Sequence, residues 1–375
     1  MELRPAAELR ALRVAVAAAV VWQLAQGWRS GASEFEKSYW LVTYEHGFVR
    51  RGLGGELLRL LPGQTTPELV LGAALGTSIL SALAVLGVIV ALARRGTRPA
   101  LWLALLLAAS PFTLEAALNK HRPDQLGLVV LAMMALWGGR RWAQITSAVL
   151  LATLVFVHEG TLVSYGLFIL PLVVREGRWA EWRNAAAFFA PAGVATGIVL
   201  LWGRASPAQV DALLRDPATV TLLQRPTDTD YSVLPYLGDS LRDSFAVVAA
   251  FPVEKAVLMV LWAVLLAAVH AGWLGWSRVS VPGTWLAWLP ALAGFAFVHV
   301  TAVDWQRWTS AAFTGLLIVA AALLPARAAE PTPRRPVVVW AWIAVATYLA
   351  TRPPAGSVGW RDGWAGFLDY WTWPL

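Results

Sequence analysis

Long apolar stretches recur along this chain almost without interruption, and they constrain its fold more than any other feature. Runs able to cross about 30 Å of hydrocarbon as helices fall at 11–29, 67–93, 98–118, 125–139, 142–158, 161–174, 184–203, 255–277, 284–303, 308–325 and 336–351. Backbone amides inside lipid must be satisfied within the chain, which restricts spanning structures to helices and closed barrels. Runs of this length select helices. The expected fold is all-α, a polytopic integral membrane protein with about eleven transmembrane helices. A hydrophobic fraction of 58% and a charged fraction of 14% depart from soluble averages of roughly 45–50% and 25% in the direction this requires.

Charge sets the expected orientation. Arg4, Arg10 and Arg13 precede the first apolar run, Val14 to Trp28, and no clear small-residue cleavage site follows it. The run reads as an uncleaved signal anchor with a cytoplasmic N-terminus. Alternate short connections then carry Arg94-Arg95-Arg98, Arg140-Arg141, Arg175/Arg178/Arg183, Arg278 and Arg327/Arg334/Arg335, the bias of cytoplasmic loops. A net charge of +7 is thereby explained as topology, with no nucleic acid implied. The composition points to a bacterial inner (cytoplasmic) membrane. The absence of cysteine excludes disulfides, thiolate nucleophiles and thiolate metal ligands.

Two outer connections are long, 30–66 and 204–254. The first contains Gly55-Glu56-Leu57-Leu58-Arg59-Leu60-Leu61, suited to lying on an interface. The second contains Pro207 to Arg215, with Val210, Leu213 and Leu214 on one face. Pro325 to Pro336 forms a proline-rich cytoplasmic link, and Trp360, Trp364, Trp371 and Trp373 read as an interfacial belt.

This topology gathers separate charged motifs on the outer face. Glu34, Glu36, Lys37, Glu45, His46, Arg50 and Arg51 follow the first span; Lys120-His121-Arg122-Pro123-Asp124 joins the third and fourth. His158-Glu159-Gly160 ends the fifth, and Asp304-Trp305-Gln306-Arg307-Trp308 joins the ninth and tenth. Each has a structural alternative. The early acids suit a solvated loop, Arg50 and Arg51 suit snorkelling anchors, and His158–Glu159 suits helix packing. Asp304 and Arg307 suit an i,i+3 pair. Arg50 and Arg51 lie between Gly47 and Gly52, which suggests close backbone approach to something, and paired guanidinium forks match phosphate oxygens.

Such a set suits sugar transfer from a polyprenyl phosphate or diphosphate. A carboxylate must take the proton of the attacking hydroxyl, and cations must stabilise the leaving phosphate. A divalent ion, Mg or Mn, held by carboxylate oxygens is compatible with the acids present, although no tightly spaced aspartate pair demands one.

On these features the chain resembles the C-type glycosyltransferase (GT-C) superfamily of multi-span enzymes that use lipid-linked sugars. Acids in a long first outer loop, about seven spans before a second long loop at 204–254, and charge gathered on the outer face carry the resemblance. It covers residues 1–277 as a membrane module, with 278–375 as additional helices and an outer tail. The resemblance implies that a first-loop acid, Glu34, Glu36 or Glu45, is the catalytic base, and the outer charged set adds His158 and Glu159 as catalytic candidates. It implies that Arg50, Arg51, Lys120, Arg122 and Arg307 hold the phosphate of the substrate, a polyprenyl-phosphate-linked sugar with a lipid or glycan acceptor, and the outer charged motifs add His46, Asp124 and Asp304 as substrate-binding candidates. Superfamily members typically have an aspartate soon after the first span, and only glutamates stand here, which leaves the base open among them. Two other functions compete. A polymerase of the O-antigen or exopolysaccharide type would use the same donors, whereas a lipid-linked solute transporter or flippase would place its site near the midplane.

Overall fold

A computed structural model describes residues 5–27, 32–61, 65–110, 113–119, 121–228, 232–250, 285–302 and 305–324, with positions 253, 257, 260 and 264. These residues are helical or irregular, with no strand among them. The expected runs at 255–277 (apart from those single positions) and 336–351, the 277/278 boundary, the proline-rich link and the terminal tryptophans lie outside the described residues.

Helix α1 (Pro5–Gly27) is followed by two short helices, α2 (Glu34–Ser38) and α3 (Gly52–Arg59). Helix α4 (Pro67–Arg95) has a complete set of end signals. Thr66 caps it by accepting from the Leu69 amide, Pro67 opens it, and Gly96 closes it at φ +67° beyond Arg94 and Arg95. Its 29 residues extend about 43 Å at the α-helical rise. It and α11 (Trp179–Trp202) are the two described helices long and apolar enough to cross a membrane.

The other apolar runs are shorter or broken. The expected span at 98–118 is two helices, α5 (Arg98–Ala109) and α6 (Leu114–Asn119). Ser110 is extended at ψ +124°, the conformation that the following proline favours. Every residue of α5 from Pro99 to Ala108 is buried, the mark of a helix enclosed by its neighbours. The run at 125–139 becomes a 3₁₀ turn at Pro123–Leu126 leading into α7 (Gly127–Trp137).

Helix α8 (Arg141–Val157) matches the expected 142–158 closely. The expected 161–174 is not one helix: it divides into α9 (Gly160–Ser164), a 3₁₀ turn at Gly166–Ile169 and α10 (Leu170–Val173). Gly166 and Pro171 interrupt it, and the broken backbone sits among buried residues including Tyr165, Phe168 and Ile169. Burial in protein is the setting in which irregular backbone is tolerated in an apolar environment. Helices at Leu289–Thr301 and Trp305–Leu323 complete the described bundle.

Contacts define the two ends of the bundle. At one, Arg98 pairs with Glu8 at 2.6 Å, and Arg95 donates to the Ala321 and Leu324 carbonyls at 3.2 Å each. This basic end joins the start of α1, the α4–α5 turn and the end of the Trp305–Leu323 helix. At the other end the two long connections fold together into a cap with its own apolar core. That core includes Tyr39, Trp40, Val42 and Val49 from the first connection, and Leu213, Leu223, Leu234 and Leu237 from the second. The second contributes α12 (Pro207–Arg215), α13 (Pro217–Leu222) and α14 (Leu241–Ala249). Hydrogen bonds join the connections directly: the Val233 amide to Ser38 Oγ, the Gln224 amide to Glu34 Oε2, and Gln209 Nε2 to the His46 carbonyl.

Candidate functional site where cap and bundle meet

Residues 44–55 are shaped by Gly47, Gly52 and Gly55 and by one strained residue. Gly47 has φ +108°, and a Cβ there would lie 2.8 Å from Gln209 Nε2. A Cβ on Gly52 would lie 2.2 Å from the Tyr44 ring, and one on Gly55 would lie 2.2 Å from the Val42 carbonyl oxygen. The close approach that these glycines allow is to the protein's own cap, not to a ligand. Arg51, at the N-cap of α3, is left-handed with φ +66°, which for an L-residue with a side chain costs about 1–2 kcal/mol.

The strain is held in place by a buried ion pair. Arg51 Nε donates to both Glu159 oxygens at 3.0 and 2.9 Å, and Nη2 adds a third contact at 2.5 Å. Only 16% and 21% of the two side chains are exposed. Burial alone would raise the Glu159 carboxyl, but Arg51, with His158 and Arg50 adding, holds it well below the usual carboxylate range. Burial opposes the Arg51 charge as well, and Glu159 reverses that effect, leaving its pKa raised. The Tyr39 ring lies 5.5 Å from the guanidinium.

His158 ends α8 in an extended conformation and is 2% exposed. Its Nδ1 accepts from the Gly160 amide at 3.0 Å, which assigns the proton of the neutral ring to Nε2. The Tyr39 ring stands 5.3 Å away. Asp124, in the first turn opened by Pro123, is buried and faces Arg307 at 3.6 Å. The Arg307 guanidinium lies 4.0 Å from the Trp308 ring. The charges of Asp124, Arg51, Glu159 and Arg307 all reach His158, so four chain segments meet around one imidazole.

Arg50 approaches from the cap side. Its amide donates to the Gly203 carbonyl at 2.6 Å and its Nη2 donates to the Tyr236 carbonyl. Burial, with Arg51 and Arg204 adding, lowers its pKa, and Glu159 and Asp239 offset part of that effect. Among the described residues it forms no ion pair, in contrast to Arg51.

The expected residues therefore fall into two groups. Arg50, Arg51, Asp124, His158, Glu159 and Arg307 come together. Glu34, Glu36, Glu45 and His46 belong to the cap. Glu36 completes a capping box with Ser33, and Glu34 accepts from Gln224. Glu45 and His46 are exposed and stand beside Asp216, with potential ligand atoms within 4.8 Å of one another. These three are the described side chains that could hold a cation, although Asp216 Oδ1 also caps α13 through the Ala218 and Thr219 amides. Arg122 lies 5.0 Å from the Phe35 ring. Lys120 and Asp304 are outside the described residues.

Sequence reasoning did not identify Tyr39, the Gly203 and Tyr236 carbonyls, or the bond between His121 Nδ1 and Ser78 Oγ at 2.8 Å. The Tyr39-Trp40 pair beside the early acids was the available signal for the first. A carbonyl partner leaves no trace in residue type.

The described residues form a helical bundle, and two of its helices are long and apolar enough to cross a membrane. Residues 9–214 match the family described as "Uncharacterised membrane protein Rv1490", and the chain belongs to that family. Similar relatives include "Uncharacterized protein Rv1490" of Mycobacterium tuberculosis (strain ATCC 25618 / H37Rv) and "Uncharacterized protein Mb1527" of Mycobacterium bovis. Each is 29% identical over 147 residues, covering 36% of this chain and 34% of the relative. The match thus spans about a third of each curated relative's length. No solved structure matches this chain. The family region contains Arg50, Arg51, Asp124, His158 and Glu159, and ends before Arg307.

Proposed function

We propose that this protein is a multi-pass glycosyltransferase of the bacterial inner membrane. It moves a sugar from a polyprenyl phosphate or diphosphate carrier to a lipid or glycan acceptor. Its N-terminus is cytoplasmic and its site is extracytoplasmic. One observation carries the reading: segments distant in sequence deliver Arg50, Arg51, Asp124, His158, Glu159 and Arg307 to one buried junction at the capped end. Ionisable groups in an apolar protein are costly and mark functional sites by default.

The roles follow from the bonding. Arg50, without a carboxylate partner among the described residues, holds the phosphate as negative charge develops on the leaving oxygen. Glu159 is a poor proton acceptor because Arg51 lowers its proton affinity; it is a positioning residue that fixes Arg51. Glu34 and Glu36 are engaged by backbone amides. Asp124, buried beside Arg307 and His158, is the carboxylate assigned to accept the proton of the attacking hydroxyl.

The direct test supplies membranes containing the protein with a polyprenyl-phosphate-linked radiolabelled sugar. Wild type forms a lipid- or glycan-linked product, and Arg50→Ala at equal abundance does not. Equal product from both removes Arg50 from the site, and no product from wild type with any such donor removes the transferase reading. Orientation is tested separately in this cysteine-free chain. A cysteine at exposed position 46 labels from outside intact cells, and labelling only after cytoplasmic access reverses the topology.

A further inference from the structure

A turn of the first long connection and the end of α12 in the second bring three metal-ligating side chains to one place on the cap. The Gly47 amide donates to the Tyr44 carbonyl at 3.0 Å and closes a turn with Glu45 and His46 at its tip. Gln209 Nε2 donates to the His46 carbonyl at 3.1 Å, which lays the turn against α12. Asp216 follows Gln209 by two helical turns and so emerges on the same side. Potential ligand atoms of Glu45, His46 and Asp216 all lie within 4.8 Å of one another.

The neighbouring cations are engaged by other acids. Arg59, whose charge interacts with that of Glu45, pairs with Glu56 at 2.6 Å, and Arg215, next to Asp216, faces Asp211 at 4.0 Å. Glu45 and Asp216 are left close together, and two like charges at this spacing repel by about 1 kcal/mol in water. A shared divalent cation turns that repulsion into attraction. The imidazole sets this group apart from a pair of solvated acids. One ring nitrogen with two carboxylates is a ligand set for zinc and its first-row neighbours, whereas magnesium and calcium favour oxygen ligands. Tetrahedral zinc needs its ligand atoms roughly 3.4 Å apart. Glu45 and His46 are exposed and reach that spacing by side-chain rotation. Asp216 is held still, because its Oδ1 accepts from the Ala218 and Thr219 amides at 2.9 and 3.3 Å.

We infer that Glu45, His46 and Asp216 bind one divalent transition-metal ion of the zinc type, which clamps the first long connection to the second. The inference is independent of the transferase reading. Glu45 becomes a metal ligand and ceases to be a candidate base. The ion acts on the cap as a bound ligand acts on any folded state, by stabilising the form that binds it.

The test uses purified full-length protein in detergent, stripped with a chelator and titrated by calorimetry with zinc chloride and, separately, magnesium chloride. Wild type binds one zinc ion per chain and binds magnesium at least ten-fold more weakly. His46→Ala, Glu45→Gln and Asp216→Asn each weaken zinc binding at least ten-fold. Asparagine is a good N-cap, so Asp216→Asn removes the charge and leaves α13 capped. Asp211→Asn, an exposed acid on the same rim, binds zinc as wild type does. Zinc also slows tryptic cleavage after Arg215 in wild type and leaves the rate unchanged in His46→Ala. Wild type that binds no zinc, or three ligand variants that match it, overturns the site. Magnesium bound as tightly as zinc overturns the choice of ion, and zinc bound without slower cleavage overturns the clamp.

Discussion

Ionisable residues are held in opposite ways at the cap rim and at the junction beneath it. On the rim, Asp211 and Arg215 face each other at 4.0 Å with 64% and 83% of their side chains exposed, and Glu45 and His46 are open to solvent. At the junction, Arg51 and Glu159 share three contacts of 2.5 to 3.0 Å in a largely enclosed setting. The Asp211–Arg215 pair is screened and replaceable. The second couples the cap to the end of α8, and losing one partner strands the other charge. The contrast places the tightly held charges of the two long connections at their buried underside.

The sharpest way to break that comparison is to remove one member of the buried pair. Glu159→Ala leaves Arg51 enclosed and unpaired, a change that costs about 3–5 kcal/mol, read as loss of folded protein or a lower unfolding temperature in detergent. Next comes the packing of α3 on the Trp40–Val42 backbone. Gly55→Ala sets a Cβ against the Val42 carbonyl, and overpacking of this kind costs about 1–3 kcal/mol, measurable in the same assay. Removing the α13 cap with Asp216→Ala costs about 1 kcal/mol. Arg215→Ala on the rim changes stability by less than about 0.5 kcal/mol.

Acidification separates the two regions as well. The folded-state pKa of Glu159 is depressed, so its contribution to stability is fully present above its unfolded value, about 4.3. It is lost progressively as pH falls below that value toward the folded pKa. Wild type therefore loses more stability than Glu159→Gln between pH 5 and the lowest pH at which both remain soluble. Equal losses in the two proteins contradict the assignment.

The two regions also differ in how far they could be read from sequence. Helix α8 was legible because Arg140-Arg141 and His158-Glu159 bracket one apolar run. The α12 helix was legible from Pro207 and the Val210, Leu213, Leu214 stripe. Breaks inside apolar runs were not. Gly166 and Pro171 divide 161–174, but isolated glycines and prolines also occur in intact helices, as Pro191 does within α11.

The gathering of charged motifs at one end followed from alternating topology. The specific pairing did not: Arg51 and Glu159 are 108 positions apart, and no spacing rule connects them. Gly47 and Gly52 suggested a close backbone approach to something, and Gln209 and Tyr44 occupy the space in question. Residue type shows that backbone must come close to something. It does not show to what.

A double-mutant cycle on Arg51→Ala and Glu159→Ala, read by unfolding free energy in detergent, tests the central claim most directly. A pair that joins cap to bundle gives a coupling energy of about 1–3 kcal/mol, with the double variant more stable than the sum of the two single losses predicts. Additive losses, with no coupling, would mean that the two side chains do not meet, and that the junction is not built as described.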